Sequence, residues 1–542
     1  MVRAAVPLTV PDLLAARAGS DPGRTAVLDA AGRSLTFARW HRASLALATA
    51  LREDGLAHGD RVALRFADDW TAYAVAFCGV VTAGGVAVPL GADVPERQLA
   101  DTLRRIGVRG VLHQQGSAAP PGPWWTRVPL TDAAADGPGP LVRISPADVA
   151  QIVCTSGSTG TPKEVAATHG NLCHGAVTQP RTRRYAHSQT MLHAFPIGTN
   201  AAQMMLMEAL TAHPALLCAG RFEAEEYCRL IERHRVGTVF LVPAMAAELL
   251  RSGAAARHDL SSVALVSSSA AALPPSTARG LAAAFPRAFL VNYYTSTEAV
   301  PAQISILVDP GRPEALGRPA DPRDLRIAGE NGEPVPVGEV GEVWLRSDAP
   351  PRHYAGDPAG TAAVFRDGWV RMGDLGRIDE AGYLHLVDRE SDVIKSGALK
   401  VSTLRIESAL LEHPAVAEAA TVGLPHPVMG TVPAAVVRAD GPLDLDELRD
   451  FLAGRLARPE RPVRLLTVAE IPRTPTGKPV KPQVRKLLEA AAPTLPATPA
   501  PPAADPFGRS FLSALSAAEP DPAAPTTRAT TPVMEASTDV RP

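Results

Sequence analysis

The ten residues Cys154-Thr155-Ser156-Gly157-Ser158-Thr159-Gly160-Thr161-Pro162-Lys163 follow a short apolar run, Gln151–Val153, which has the pattern of a strand. The two glycines allow backbone N–H groups to converge on an anion, while the hydroxyl side chains add donors and Lys163 adds a positive charge. The run lacks the GK[ST] ending of the Walker pattern. It therefore predicts a phosphate-binding loop of another type at the end of a strand.

The residues around this loop predict an α/β fold. Between Asp12 and about Arg389, helical stretches rich in Ala, Leu and Arg alternate with short β-branched runs. This alternation predicts layered α/β sheets with mainly parallel strands. After Leu316 the helical stretches stop, and strands joined by Gly/Pro turns predict a small β-rich subdomain. The predicted strands are Arg61–Phe66, Val86–Leu90, Gln151–Cys154, Gly237–Val242, Val263–Ser267, Phe289–Tyr293, Leu325–Ile327, Gly341–Leu345 and Tyr383–Leu386.

The end of the chain has a different pattern. From about Asp392 a shorter α+β pattern begins, with helices predicted at Ser402–Leu411 and Leu445–Arg455. Residues 491–542 contain 11 prolines and almost no apolar periodicity, which predicts disorder. We therefore expect a large N-terminal domain over 1–390, a small α+β C-terminal domain over 391–489, and a disordered Pro/Ala-rich tail over 490–542.

The basic residues are unevenly divided between the two types. Of 54 Lys+Arg residues six are lysine, which leaves 48 arginines. Ammonium and guanidinium differ in shape and donor geometry, so a lysine retained in such a chain is a candidate for a role that arginine cannot take. The six are Lys163, Lys395, Lys400, Lys478, Lys481 and Lys486.

Composition excludes several classes of function. The net charge of -2 gives no basic surface for nucleic acid or an anionic membrane. Five scattered cysteines without a CxxC pair argue against disulfides and structural zinc, and fit a reducing cytosol. The charge-free segment 70–92 is long enough to span a membrane, but Gly84, Gly85 and Pro89 divide it into a helix and a strand. We therefore expect a cytoplasmic protein with no secretory signal and no membrane span.

Six motifs in order resemble those of the adenylate-forming superfamily, which includes acyl-CoA synthetases, luciferases and adenylation domains. The resemblance covers about residues 10–489 and is greatest to a stand-alone acyl-CoA ligase. The matching segments are the loop at 154–163, Tyr294-Thr295-Ser296-Thr297-Glu298, Gly341-Glu342, Gly368-Trp369 with Gly373-Asp374, Asp388-Arg389 through Lys395, Gly397 and Lys400, and Pro472 through Lys478.

The resemblance implies a reaction in two halves. A carboxylate would attack the α-phosphate of ATP to give an acyl-adenylate, and the thiol of coenzyme A would then displace AMP. Thr297 would touch the α-phosphate, Glu298 would bind Mg²⁺, and Lys478 would neutralise the developing charge. The residues implied to bind the nucleotide are Thr155, Ser156, Gly157, Ser158, Thr159, Gly160 and Lys163 at the phosphates, Tyr294 and Thr295 at the adenine, and Asp374 and Arg389 at the ribose.

The resemblance also implies a moving C-terminal domain. A hinge at Ser391-Asp392 would rotate that domain, withdraw Lys478, and bring Gly397, Ala398 and Lys400 to the thiol. Lys481 and Lys486 fall outside the motifs, so we expect them to be solvated charges.

Several positions depart from the family's pattern. Glu164 stands where the loop usually has glycine, and a carboxylate about 6 Å from a phosphate charge would cost about 3 kcal/mol at an effective dielectric of 20. Ala270 and Thr295 place side chains where backbone usually approaches the ligand. Either these are ordinary drift, with Glu164 turned to solvent, or they weaken adenylation. The other altered positions are Met372, Asp388, Ser391 and Ala398.

The stretch His193–Ala202 matches the acid-binding part of the family. It holds no acidic residue to pair with an α-ammonium group, so an α-amino acid is disfavoured. Gly198, Thr199 and Asn200 are candidate pocket residues, and the small side chains and nearby methionines suggest a roomy apolar pocket or simply a helix core. An aryl, polyketide or terpenoid-like carboxylic acid fits this composition.

Four functions remain open from the sequence. The first is an acyl-CoA ligase that uses ATP, Mg²⁺ and coenzyme A on a small carboxylic acid. The second is a degenerate member that performs mainly the thioesterification of a preformed acyl-adenylate. The third is an adenylation enzyme that loads a separate carrier protein, and the fourth is a non-catalytic binding protein.

Overall fold

A computed structural model describes residues 8–91, 94, 96–132, 142–155, 162–176, 182–309, 311–312, 315–329, 331–397, 399–474 and 477–491. By its internal contacts the chain divides into Met1–Ala492 and Pro493–Pro542, and the second part, with the predicted tail, lies outside the described residues.

The strands follow the predicted ones closely, and most end within one or two residues of the expected position. In chain order they are β1 Thr25–Asp29, β2 Ser34–Thr36, β3 Arg61–Phe66, β4 Val86–Gly91, β5 Gly110–His113, β6 Trp125–Arg127, β7 Val149–Thr155, β8 Lys163–Thr168, β9 Thr190–His193, β10 Ala215–Cys218, β11 Thr238–Leu241, β12 Leu265–Ser268, β13 Phe289–Tyr294, β14 Ile304–Leu307, β15 Ala315–Gly317, β16 Leu325–Ala328, β17 Gly341–Arg346, β18 His353–Tyr354, β19 Phe365–Arg366, β20 Trp369–Ile378, β21 Leu384–Arg389, β22 Ile394–Ser396, β23 Leu399–Val401, β24 Val416–His426, β25 Gly430–Ala439 and β26 Arg464–Thr467.

Thirteen α-helices connect and cover these strands within the described residues. They are α1 Val10–Ser20, α2 Phe37–Glu53, α3 Trp70–Thr82, α4 Glu96–Ile106, α5 His169–Leu172, α6 Asn200–Thr211, α7 Ala224–His234, α8 Pro243–Ser252, α9 Pro275–Ala284, α10 Pro358–Val364, α11 Thr403–Leu411, α12 Leu445–Ala453 and α13 Lys481–Ala490.

Two large sheets form the layered α/β part. One has the order β14-β13-β12-β11-β9-β10-β1-β2, and its inner pairs are parallel, while β2 and β14 lie antiparallel at its edges. The other has the order β18-β8-β7-β4-β3-β5-β6 and is parallel except at β7–β8 and β8–β18. The mainly parallel α/β sheets expected from the sequence are thus confirmed.

The charge-free segment from Trp70 is a buried core helix. The Asp69 side chain accepts a hydrogen bond from the Ala72 N–H at 2.9 Å and caps α3, and Gly84 follows its end with a φ of +81°. Every residue of α3 from Trp70 to Val81 is buried, because apolar residues surround the whole helix and pack in one core with α2 and α6. No helix in the described part of the chain is long and apolar enough to cross a bilayer.

Two smaller sheets follow along the chain. An antiparallel sheet of order β15-β21-β20-β17-β16, with β19 beside β20, forms the β-rich part expected after Leu316. The last sheet has the order β23-β22-β25-β24 with β26 beside β25, and α11 and α13 pack on it. This smaller α+β part carries the remaining motifs and presents its loops to the large sheets.

Candidate active site

Three predicted nucleotide-binding residues and the predicted catalytic residue Lys478 meet where three parts of the fold converge. Asp374 of β20 and Arg389 of β21 form a register pair, and Arg389 Nε lies 3.4 Å from Asp374 Oδ1. The Tyr294 hydroxyl, at the end of β13, donates to Asp374 Oδ2 at 2.6 Å. Burial raises the pKa of Asp374, while Arg389, Tyr294 and Lys478 act to lower it. The arrangement gives a carboxylate held between a cation and a phenol.

Lys478 lies beside this group in a half-buried position. Burial lowers the pKa of its ammonium from 10.5, and the positive charge of Arg389 adds to this, while Asp374 and Glu298 oppose it. The charges of Arg389, Asp374 and Glu298 are therefore close enough to act on that of Lys478, although the residues come from distant parts of the chain. A lysine that is partly shielded from water at this point can place its charge on a bound phosphate or carboxylate.

An ion-pair network holds the loop that carries Lys478. The guanidinium of Arg473 donates to the Gly477 carbonyl and, at 2.9 and 2.6 Å, to the Glu418 carboxylate of β24. An added Cβ at Gly477 would lie 3.4 Å from Ala244 Cβ, at the start of α8. The loop is thus fixed to its own sheet and rests against the large part of the protein.

The same network reaches α8 of the large part. Arg251 Nη1 lies 3.3 Å from Asp440 Oδ1, and its Nη2 lies 3.9 Å from Glu418 Oε1. Arg438 Nε donates to Glu418 Oε1 at 2.8 Å, so the Glu418 carboxylate pairs with three arginines. Burial acts to raise the pKa of Glu418, but Arg473 and Arg438 lower it below its usual value. Glu418 therefore connects the Lys478 loop to α8.

On the phosphate side, Tyr354 connects two predicted residues. Its hydroxyl donates to Glu298 Oε1 at 2.9 Å. Lys163 Nζ donates to the Tyr354 hydroxyl oxygen at 3.4 Å and lies 4.6 Å from the centroid of the Tyr354 ring. Tyr354 lies on β18, which pairs with Val165 two residues after Lys163. Tyr354 could not be found from the sequence, because only the pairing of β18 with β8 brings it here.

Arg352 is a second residue that the sequence analysis missed. Its side chain is buried, and it donates to Asn171 Oδ1 at 2.9 Å, Asn200 Oδ1 at 3.0 Å and the Thr297 carbonyl at 2.9 Å. Burial lowers the pKa of its guanidinium to about 10, and the Glu298 charge opposes this. Arg352 therefore connects the predicted phosphate contact Thr297 to the predicted acid-pocket residue Asn200.

Glu164 points away from the phosphate side. Successive side chains of a strand alternate between faces, so Glu164 lies on the opposite face of β8 from Lys163. Its carboxylate lies 3.1 Å from Arg61 Nη1 and 3.7 Å from Arg105 Nη1, and little of it is exposed. The alternative in which Glu164 turns to solvent is therefore wrong, because two arginines of the neighbouring elements pair with its carboxylate.

The other altered positions have local explanations. The Thr295 hydroxyl donates to the Ala302 carbonyl at 2.7 Å, which holds the side chain on its own turn. Ala270 keeps the left-handed backbone of a glycine, with a φ of +74°, and is therefore strained. Met372 is buried in the β-rich core. Thr295 and Met372 thus fill space in the protein, whereas Ala270 costs stability.

Asp388 and Lys481 lie near the predicted hinge, and both side chains have partners within the protein. The buried Asp388 carboxylate accepts hydrogen bonds from the Thr403 N–H and hydroxyl at the start of α11. Lys481 Nζ donates to Thr421 O at 2.7 Å and to Glu407 Oε1 at 3.0 Å, and lies 3.9 Å from Asp392. The prediction that Lys481 is a solvated charge is therefore wrong, whereas Lys486 is exposed as expected.

The predicted pocket residues have structural partners of their own. The Thr199 hydroxyl accepts from the Ala202 N–H at 3.2 Å and caps α6. An added Cβ at Gly198 would lie 2.5 Å from the Gly91 backbone N, so its lack of a side chain allows close packing and does not enlarge a pocket. Of these three residues, Asn200 alone is connected to the phosphate side, through Arg352.

The remaining predicted residues fall into two groups. Thr155 pairs with Lys163 across β7 and β8. Gly397 has a φ of +60° and lies with Lys400 on an exposed hairpin. The Ser391 hydroxyl donates to Asp392 Oδ1 at 3.2 Å. Predictions on Ser156, Gly157, Ser158, Thr159, Gly160 and Ala398 lie outside the described residues.

The residues at this site fit a Mg²⁺ ion that would be bound mainly by the substrate phosphates. Among the described residues no three His, Cys, Asp or Glu side chains form a metal-binding group. Mg²⁺ keeps several waters and commonly takes one or two carboxylates together with substrate phosphates, so the single carboxylate of Glu298 is a sufficient protein ligand.

Comparisons with known proteins agree with this geometry. Residues 14–355 match the AMP-binding enzyme family, and residues 405–478 match the AMP-binding enzyme C-terminal domain. A feruloyl-CoA synthase of Amycolatopsis sp is 35% identical over 87% of this chain and 97% of its own. 4-Coumarate–CoA ligase 1 of Solanum tuberosum is 31% identical over 65% of this chain and 67% of its own.

Solved structures show the same fold. The amide bond synthetase McbA from Marinactinospora thermotolerans is 30% identical, with a TM-score of 0.74 over 88% of this chain and 99% of its own. ATP-bound MatB from Rhodopseudomonas palustris is 26% identical, with a TM-score of 0.78 over 89% of this chain and 99% of its own.

Proposed function

Because this chain belongs to the AMP-binding enzyme family, we propose that it activates an aryl carboxylic acid and passes the acyl group to coenzyme A. It is an AMP-forming acid–thiol ligase that uses ATP, Mg²⁺ and coenzyme A. The observation that carries the proposal is the meeting of Lys478 with Asp374, Arg389 and Glu298 in one half-buried site. Relatives that act on feruloyl and 4-coumaroyl groups support an aryl acid.

In the first half-reaction a carboxylate oxygen of the acid attacks the α-phosphorus of ATP. The bond from that phosphorus to the pyrophosphate oxygen breaks, which leaves an acyl-adenylate and pyrophosphate. Lys478 supplies a positive charge where negative charge increases on the oxygens between acid and phosphate. Asp374 and Arg389 hold the ribose, with Tyr294 beside them. Mg²⁺, when bound at Glu298, neutralises charge on the phosphates.

In the second half-reaction the sulfur of coenzyme A attacks the acyl carbon. The bond between that carbon and the AMP oxygen breaks, and the thiol proton passes to solvent. We propose a division into residues 1–390 and 391–489, with rotation at Ser391 and Asp392, so that the hairpin with Gly397 and Lys400 replaces the Lys478 loop.

A second acceptor is supported by one comparison. The similarity to an amide bond synthetase over nearly its whole length supports an amine as an alternative to the thiol, since both would attack the same acyl carbon. The first half-reaction is the same for both. No contact among the described residues favours a carrier protein as the acceptor.

The test separates the two halves of the reaction. Purified protein with ATP, Mg²⁺ and a panel of aryl acids is assayed for pyrophosphate, and the products with coenzyme A, a primary amine or a carrier protein are identified by mass. We expect pyrophosphate release with at least one aryl acid and a coenzyme A thioester. Thioester formation from a synthetic acyl-adenylate, without pyrophosphate release from any acid, would instead indicate the degenerate function. Activity in neither assay would indicate a binding protein.

A further inference from the structure

One guanidinium nitrogen joins two parts of the candidate active site. Arg352, immediately before β18, donates from Nη1 to Asn200 Oδ1 at 3.0 Å and to the Thr297 carbonyl at 2.9 Å. This nitrogen carries two hydrogens, so the two bonds use both of them. The first residue of α6 and the turn after β13 are therefore held at one point, although they belong to different elements.

Asn171 fixes the plane of this guanidinium. Arg352 Nε donates to Asn171 Oδ1 at 2.9 Å, and both side chains are buried. The Asn171 amide nitrogen in turn donates to the Pro350 carbonyl at 2.8 Å and to the Val300 carbonyl at 3.1 Å. Because a guanidinium is planar and rigid, holding Nε determines where Nη1 points. The turn after β13 is thus held at Thr297 through Arg352 and at Val300 through Asn171.

The bridge determines which groups on either side of it can meet a ligand. A guanidinium only donates hydrogen bonds, so Asn200 turns its oxygen to Arg352 and its Nδ2 away. In the described part of the chain, the hydrogen-bond partner of Nδ2 is Met204 Sδ at 3.7 Å, which is a weak acceptor. The Thr297 carbonyl is occupied as well, which leaves the partly exposed Thr297 side chain to meet a phosphate.

Arg352 is also a buried cation without an ion pair. The residue is 3% exposed, and no carboxylate among the described residues forms an ion pair with its guanidinium. Burying an unpaired charge is costly, and both substrates of the proposed reaction bring negative charge. A cation between a carboxylate and a phosphate reduces the repulsion between them. The position of Arg352 therefore favours the presence of both substrates together.

We propose that Arg352 is a positioning residue that couples the two substrate sites, so that bound ATP increases the affinity for the acid and bound acid increases the affinity for ATP. This inference rests on the proposed function and adds how the two substrates act on each other. The guanidinium offsets the repulsion between the two anions. The substrate that binds first also orders the bridge, so the second loses less conformational freedom. By linkage the two increases in affinity are equal.

The coupling can be measured without any chemical step. Kd of α,β-methylene-ATP with Mg²⁺ is determined by calorimetry with and without a saturating aryl acid, namely benzoate, cinnamate, 4-hydroxycinnamate or ferulate. In the wild type we expect at least one acid to lower this Kd about fivefold or more, as is typical of coupled sites. In Arg352→Met the ratio of the two Kd values should fall to about one or below, because the anions then repel each other without a cation between them. Arg352→Lys keeps the charge without the planar fork and should retain part of the ratio.

Two further variants separate coupling from folding. Asn200→Ala removes one acceptor of the bridge and leaves the guanidinium in place, so it should reduce the Kd ratio even if Arg352→Met does not fold. The matched control is Arg17, which is also buried and donates to the Ala212 carbonyl, at the other end of α6, at 2.7 Å. Arg17→Met should lower the melting temperature and leave the Kd ratio unchanged.

The outcomes distinguish this inference from the proposed function. A Kd ratio near one in the wild type with all of the acids, or an unchanged ratio in folded Arg352→Met and Asn200→Ala, would overturn the inference while pyrophosphate release by the wild type still supported the proposed function. An equal fall of the ratio in Arg17→Met would also overturn the inference. Coupling that is lost with Arg352, without pyrophosphate release from ATP with any of the acids, would support the inference and contradict the proposed function.

Discussion

Two loops of the small C-terminal sheet carry lysines, and their surroundings differ. The loop after β26 places Lys478 in a half-buried position beside Asp374, with Arg473 and Glu418 holding it. The β22–β23 hairpin has Lys395 and Lys400 exposed, together with Leu399, which is 51% exposed. One sheet thus presents one lysine to the proposed nucleotide site and two to solvent.

The difference between the two loops indicates which half-reaction the observed position of the small sheet would catalyse. A cation close to Asp374 and Glu298 can stabilise charge on ATP. No described residue of the exposed hairpin makes a hydrogen bond or ion pair with either carboxylate. Both loops belong to the same small sheet, so bringing the hairpin to the site requires moving the Lys478 loop away. The two halves of the reaction should therefore respond to different substitutions.

The largest effect is expected when the buried lysine is removed. Lys478→Ala should lower pyrophosphate release about 100-fold or more, because one preorganised charge is lost where charge develops. Thioester formation from a synthetic acyl-adenylate should stay within about twofold of the wild type. Lys486→Ala, at an exposed lysine of α13, is the control. An equal loss in both steps would contradict the assignment of this loop to one half-reaction.

The opposite pattern is expected from the exposed hairpin. Gly397 has a φ of +60°, and an added Cβ would lie 3.0 Å from Met429 Cε. Gly397→Ala should therefore strain the hairpin and lower thioester formation about tenfold, with pyrophosphate release unchanged. Gly441→Ala, at an open glycine in the same part of the chain, provides the comparison. If pyrophosphate release falls as well, the two loops do not act separately.

A smaller effect should follow from loosening the Lys478 loop. Glu418→Gln removes the charge that Arg473, Arg438 and Arg251 share, so pyrophosphate release should fall about tenfold while thioester formation is retained. The effect should decrease with added salt, because salt screens the partly exposed ion pair with Arg251 that the wild type retains. Asp450→Asn, at an exposed carboxylate of α12, should change neither step. Unchanged pyrophosphate release in Glu418→Gln would show that this network does not position Lys478.

The pH dependence of the first step should reflect the lowered pKa of Lys478. The ammonium form supplies the charge, and its pKa is lowered from 10.5 by burial, so raising the pH removes the proton earlier than from an ordinary lysine. We expect kcat/KM for pyrophosphate release to fall on the alkaline side with a pKa below 10.5. In Lys478→Arg the residual activity should keep its value to higher pH, because guanidinium stays protonated. The same alkaline fall in both proteins would assign it to another group.

The smallest effect concerns a residue outside both loops. Ala270→Gly relieves a left-handed alanine, which costs about 1–2 kcal/mol, and loses part of that gain through the greater freedom of glycine in the unfolded chain. We expect a net stabilisation of about 0.5–1 kcal/mol, seen as a higher melting temperature. The ratio of the two half-reaction rates should not change, and Ala256→Gly, with an ordinary backbone, should destabilise.

Much of the fold could be predicted from local patterns. Arg61–Phe66 was predicted to the residue, and β4, β7, β11, β12 and β13 begin and end within two residues of their predicted bounds. Each strand is a short apolar or β-branched run between turn residues, so its pattern is local. The site motifs were found for the same reason, since each is a short contiguous segment.

The roles of single side chains could not be predicted in the same way. Lys481 lies in a polar helix start and was expected in solvent, but the fold places Glu407 and the Thr421 carbonyl around it. Glu164 was judged by its neighbour in sequence, Lys163, although its partners Arg61 and Arg105 come from another strand and a helix. Side-chain direction and long-range partners depend on how the sheets pair.

The amino-acid sequence by itself determined the family motifs, the order of the elements and the retained lysines, because these depend on residues that are near each other in the chain. Only the tertiary structure decided that Arg352 connects Thr297 to Asn200, that Tyr354 joins Lys163 to Glu298, and which lysine loop meets the nucleotide site. These contacts join residues more than 50 positions apart, and burial makes them strong by removing the water that would otherwise screen them.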